Sequence, residues 1–82
     1  MNQLALELRQ EKTRLSRQCE KILGELVRGR TSNFDLYEIA LNATARISEL
    51  RKRGHDIRIV ARNHATGENW YALFVKGEEV GS

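Results

Sequence analysis

The apolar positions Leu15, Cys19, Ile22, Leu23 and Leu26 recur at i, i+4, i+7, i+8 and i+11, one stripe along a helix of 3.6 residues per turn. Arg14, Arg17, Glu20, Lys21 and Glu25 fill the other faces, so this helix has one side to bury and one to solvate. Gly29 follows Arg28 and offers a left-handed stop. Leu4 and Leu8 extend a similar stripe upstream. The polar run from Arg9 to Arg14 leaves open whether one helix begins near Asn2 or a separate N-terminal helix precedes the first stripe.

A second helix is signalled by TSNFDLYEIAL, where Ser32 and Asp35 form a variant capping box with aspartate in place of glutamate. Phe34, Tyr37 and Leu41 fall on one side of it and Leu36 and Ala40 on an adjoining one, before a break at Asn42-Ala43. Thr44 is expected to cap a third helix. Ile47 and Leu50 bury one side of that helix, Ala43 joins them, and Gly54 stops it. Arg51, Lys52 and Arg53 then occupy the last turn, where the helix dipole favours cations whether or not they touch a ligand.

Beyond Gly54 the period drops to two. IRIVAR sets Ile57, Ile59 and Ala61 against Arg58, Val60 and Arg62, which predicts a strand with one buried face. NHATGEN reads as a turn, with Gly67 available for a positive φ, and WYALFVK as the returning strand. The closing GEEVGS has no evident core to join and is expected to be loose. The fold class is therefore α+β. An N-terminal helical extension covers residues 1–13, three helices and a two-stranded hairpin cover 14–76, and a flexible tail covers 77–82.

Composition narrows the class. A chain of 82 residues with 40% hydrophobic and 30% charged content suits one domain with a modest core. No apolar run approaches the roughly 20 residues of a membrane span, and Glu7, Arg9 and Glu11 interrupt any signal-peptide core. Cys19 stands alone, so no intrachain disulfide forms and a reducing cytoplasm is the expected location.

Charge changes the picture through its placement. Between Thr44 and Thr66 six bases (Arg46, Arg51, Lys52, Arg53, Arg58, Arg62) face two acids (Glu49, Asp56), so this segment is +4 while the whole chain is +3. A basic stripe on an otherwise balanced domain is the footprint expected of a nucleic-acid binder.

The element order, with a short turn between the second and third helices, suits a helix-turn-helix, and a hairpin directly after the third helix has the place of a wing. TSNFDLYEIAL, TARISELRKRGHDI and WYALF resemble the small winged helix-turn-helix proteins often encoded by bacteriophages and prophages. Their motif, close to R-I-S-x-L-R-K-x-G-[YH]-x-I, is matched by Arg46, Ile47, Ser48, Leu50, Arg51, Lys52, Gly54, His55 and Ile57, and the resemblance spans Leu15 to Phe74. It implies a winged helix whose third helix enters the DNA major groove, in a transcription regulator or a recombination or replication accessory factor.

Groove chemistry independently nominates the residues. The side of the third helix opposite Ile47 and Leu50 carries Thr44, Ala45, Ser48, Glu49 and Lys52. The first three are candidates for base contact, Glu49 for accepting from a cytosine amino group, and Lys52 for a phosphate or a guanine. Arg46 lies at the boundary of groove and core, within reach of a phosphate or of an acid such as Asp35 or Glu38. Arg51 and Arg53 have the alternative of bracing the helix against the hairpin. Arg58 and Arg62 are read as sharing a strand face. Arg62 and His64 are candidate phosphate contacts near the hairpin tip, with Asn63 and Thr66 as neutral donors. Ser32 and Asn33, beside Thr31 at the start of the second helix, are candidate phosphate anchors whose alternative is capping.

Two other functions remain open on the sequence. The Leu4, Leu8, Leu15 stripe supports self-association as a homodimer, or a protein-interaction module. Trp70 and Phe74, on one strand face, support a binder of single strands or RNA, with burial as the commoner fate of such residues. Catalysis finds no constellation: His55 and His64 lie on either side of a strand, Cys19 sits on a core stripe, and no zinc spacing or glycine-rich phosphate loop occurs. Neither an enzyme nor a cofactor or metal protein is expected.

Overall fold

The computed structural model describes residues 3–81, with side chains described from Ser16 onward. The chain runs α1 (Gln3–Arg28), β1 (Thr31–Ser32), α2 (Asn33–Ile39), α3 (Ala43–Lys52), β2 (Asp56–Asn63), β3 (Glu68–Val75) and β4 (Glu78–Glu79). It is an α+β fold of three helices and a four-stranded antiparallel sheet. The helix left open at the N-terminus is continuous with α1. The side chains of Leu4, Leu8 and Leu15, on which the homodimer expectation rests, lie outside the described residues.

Each helix buries the stripe its spacing requires. Cys19, Ile22 and Leu26 of α1, Leu36 and Ala40 at α2, and Ala43, Ile47 and Leu50 of α3 meet Ile57, Tyr71 and Leu73 of the sheet in one core. Ile22, Leu26, Leu36, Ile47 and Leu50 are fully enclosed, and each contributes about 1.5–3 kcal/mol by leaving water. Along α2 and the two residues that follow it the pattern divides. Leu36 and Ala40 go inward, whereas Phe34, Tyr37 and Leu41 are exposed.

The sequence signals for helix ends hold at α2 and shift at α3. Ser32 caps α2, its hydroxyl accepting the Asp35 amide at 3.2 Å. α3 is capped by Asn42 instead of Thr44, without a side-chain cap bond. The reason is packing: Ala43, Ile47 and Leu50 form an i, i+4, i+7 stripe only if Ala43 is already helical. Thr44 is thereby released to the surface.

The sheet is larger than the expected hairpin. β3 pairs with β2 along one edge, and along the other with β1 (Thr31↔Tyr71, Ser32↔Trp70) and β4 (Phe74↔Glu79, Val75↔Glu78). Two-residue strands leave no alternation to read, so β1 and β4 escape a period-based analysis. Residues 77–81, expected to be loose, are held against the rest of the fold. Lys76 (φ 53) and Gly77 (φ 79) make a tight primed turn, Val80 donates its amide to the Leu73 carbonyl at 2.8 Å, and its side chain packs on the core. Arg30 reaches Glu79 at 3.0 Å. At Gly81 (φ +79) a Cβ would lie 2.8 Å from backbone atoms of Val27, Arg28 and Gly29, so the end of α1 and the tail approach in a way only glycine allows.

Candidate nucleic-acid interface

α3 presents its outer face because its inner face is committed to the core. Thr44, Ser48 and Lys52 are exposed along it, with Ala45 half-buried between them. Arg51, Lys52 and Arg53 close the helix with positive charge at its C-terminal end. The face thus runs from small hydroxyl and methyl groups at its start to cations at its end.

The longer side chains of α3 have partners inside the protein. Arg46 Nε lies 3.5 Å from Glu49 Oε2, with only 13% of the Arg46 side chain exposed. Cys19 of α1 directs its thiol to the same Glu49 oxygen at 3.4 Å. Arg46 and Glu49 therefore turn toward α1, and the partner of Arg46 is Glu49 on its own helix, not Asp35 or Glu38. Nε and Nη1 of Arg46 are buried without a hydrogen bond, so the guanidinium is held there by charge and packing. Glu49 keeps 38% of its side chain exposed, so its carboxylate meets Cys19 and Arg46 on one side and solvent on the other. Burial pushes the Cys19 thiol above its ordinary pKa, and the Glu49 carboxylate beside it acts in the same direction.

Arg51 serves as the brace its position allowed. Its Nε donates to the Ile57 carbonyl at 2.9 Å, fixing the end of α3 to the start of β2. Among the described residues Lys52 has no such contact, and it is exposed.

Ser32 and Asn33, read as candidate phosphate anchors or caps, have partners inside the protein. Both are buried. Ser32 is occupied in capping, and Asn33 joins α2 to the hairpin: its amide donates to the Gly67 carbonyl at 3.1 Å and its oxygen accepts the Asn69 amide at 2.9 Å. A hydrophilic pair next to a helix start reads like an anion site in sequence, but here the Ser32 hydroxyl takes the Asp35 amide and the Asn33 carboxamide faces the protein's own turn.

The hairpin tip carries exposed Arg62, Asn63, His64 and Thr66. Asn63 and Thr66 shape the turn, since Asn63 Oδ1 accepts the Ala65 amide at 3.1 Å and Thr66 Oγ1 accepts the Glu68 amide at 3.3 Å. The register shifts between Ile59 and Ala61, so Val60 is the extra residue of a β-bulge. Arg58 pairs with Ala72 and Arg62 with Asn69, and those two partners lie on opposite faces of β3. The two arginines expected on one face are thus separated. Arg62 takes the face of Ile57, Ile59, Tyr71 and Leu73, which packs on the helices. Arg58 takes the outer face.

On that outer face Arg58 is engaged twice. It pairs with Asp56 at 2.7 Å, and its guanidinium carbon lies 4.2 Å from the centroid of the Phe74 ring. The hydrogen bond from Arg58 holds the Asp56 carboxyl below the usual range and raises the arginine in return. Trp70 is half-buried on the same face and donates its indole N–H to Glu68 at 3.0 Å. Neither aromatic presents a bare ring beside a free arginine. Tyr71 and Leu73, on the inner face, belong to the core.

The alternation of IRIVARN already hinted at the bulge, because Ile59, Val60 and Ala61 place three apolar residues in succession where a regular strand would alternate. The Asn33 clamp had no such signal, since its partners are backbone groups more than thirty positions away. Among the described residues no three His, Cys, Asp or Glu side chains gather to hold a metal, and no helix is long and apolar enough to cross a membrane. No protein family, curated protein or solved structure matches the chain.

Proposed function

We propose that this protein is a winged helix-turn-helix that binds duplex DNA in a sequence-specific manner, with α3 in the major groove and the β2–β3 turn against the backbone. The observation that carries the reading is the exposed outer face of α3, where Thr44, Ser48 and Lys52 reach solvent while Ala43, Ile47 and Leu50 seal the inner face. A helix about 10–12 Å across fits a groove about 12 Å wide. The order helix, short strand, helix, helix, hairpin, with β1 on the edge of β3 opposite β2, suits a wing held beside such a helix. Arg62 and His64 at the tip supply backbone contacts, and a role in phage-type regulation, recombination or replication is consistent with the motif around Arg46 to Ile57.

The test is selection of bound duplexes from a random pool, followed by a salt titration of the selected duplex. With about four or five phosphates neutralised, log affinity falls against log salt with a slope near −4, at about −0.9 per phosphate. A palindrome in the selected pool points to two copies on one site. Absence of salt-dependent affinity for every duplex rejects the reading.

The exposed Phe34, Tyr37 and Leu41 favour a second reading, a protein-interaction module. Salt separates the two: an apolar contact holds or strengthens as salt rises, whereas phosphate contacts weaken.

A further inference from the structure

Deepening the duplex-binding reading, on which it rests, we propose that α3 reads the 5-methyl groups of thymine, through Thr44 and Ala45. The inference comes from which α3 side chains are left after the protein has used the others. Arg46 and Glu49 are turned to α1 and to each other, and Arg51 is bound to the Ile57 carbonyl. The residues of the first two turns of the outer face without such a contact are Thr44, Ala45 and Ser48, with the Glu49 side chain 38% exposed beside them.

Those three residues lack the groups that discriminate purines. Guanine is read by the fork of arginine or the ammonium of lysine, and adenine by the carboxamide of asparagine or glutamine. No exposed α3 residue before Arg51 carries any of them. Thymine alone presents a methyl group in the major groove, and alanine and the threonine methyl are its apolar partners. The hydroxyls of Thr44 and Ser48 bond to any neighbouring base edge, so they position without choosing. Small side chains also let the helix backbone approach the bases closely, which a methyl contact at about 4 Å requires. Lys52, two turns beyond Ala45, then lies over a phosphate or a guanine at the edge of the site.

The ligand class is thus a duplex with thymines under the start of α3. The probe is the pool-selected duplex, compared with duplexes in which each thymidine is replaced in turn by deoxyuridine, which removes the methyl and leaves the hydrogen-bonding edge intact. The expected result is a loss of about fourfold in affinity per contacted methyl, the fold-change equivalent to roughly 0.8 kcal/mol. Thr44→Ser, which deletes one methyl and keeps the hydroxyl, abolishes the thymine–uracil difference at one position and leaves the salt slope unchanged. Equal affinity for thymidine and deoxyuridine duplexes, with the salt slope intact, overturns the methyl reading while duplex binding stands. Loss of salt-dependent affinity for all duplexes removes both.

Discussion

The backbone amide of Asn69, near the base of the hairpin turn, donates to the side-chain oxygen of Asn33 on the first turn of α2 at 2.9 Å. With the companion bond from Asn33 to the Gly67 carbonyl at 3.1 Å, one buried amide fixes the angle at which the hairpin leaves the helices. The position of Arg62 and His64 relative to α3 depends on that joint.

Asn33→Ala leaves a backbone donor and a backbone acceptor without partners. The expected loss is about 1–3 kcal/mol, read as a lower urea midpoint at unchanged m-value. An unaltered midpoint means that water replaces both bonds and that the joint is not rigid.

Arg62 and Arg58 are expected to separate by function because the bulge at Val60 separates their faces. Arg62→Ala reduces duplex affinity and makes the salt slope shallower by about 0.9, the effect of one lost phosphate. Arg58→Ala leaves both unchanged, since that side chain is held by Asp56 and Phe74 on the outer face. Equal losses from the two variants contradict this division.

Gly81→Ala tests whether the tail is part of the fold. A Cβ there meets three backbone atoms at 2.8 Å in a left-handed conformation, so the variant is expected to lose about 1–3 kcal/mol. For a domain this small each 1 kcal/mol lowers the melting temperature by roughly 4–8 °C. A melting temperature equal to that of the parent returns the tail to the flexible state its composition suggested.

Cys19 gives a pH signature. Its thiol pKa is raised in the folded state by burial first and by Glu49 second. The neutral thiol is therefore favoured by folding: its contribution is fully present below the unfolded thiol pKa and is lost as pH rises through the higher folded value. Stability measured from neutral to strongly alkaline pH falls less steeply for Cys19→Ala than for the parent, and the native thiol reacts slowly with disulfide reagents at neutral pH. Rapid modification of the native protein at neutral pH is incompatible with that burial.

The helix stripes were legible because period and burial are local properties. Cys19, Ile22 and Leu26 on α1 and Ile47 and Leu50 on α3 lie inward as their spacing requires, and Ser32 caps α2 as its place before Asp35 suggests. The exposed Thr44, Ser48 and Lys52 follow from the same arithmetic, as the complement of the buried stripe. Arg46 and Asn33 were not legible as internal residues, because a charged or amide side chain reads as a surface group until something folds against it. Residues on α1 and in the hairpin are what enclose them.

What the chain order alone determined is which face of each helix turns inward, where the helices stop and where the surplus positive charge resides, since each depends on neighbours within a few turns. Tertiary structure decided the partners at a distance: β1 and β4 joining β3, the tail seating on α1, the bulge that sends Arg62 to the helix side, and the contact of Glu49 with Cys19 beside the largely buried Arg46. Those choices depend on backbone hydrogen bonds and close approaches between segments far apart in sequence, and such bonds are indifferent to the side-chain periodicity from which a sequence is read.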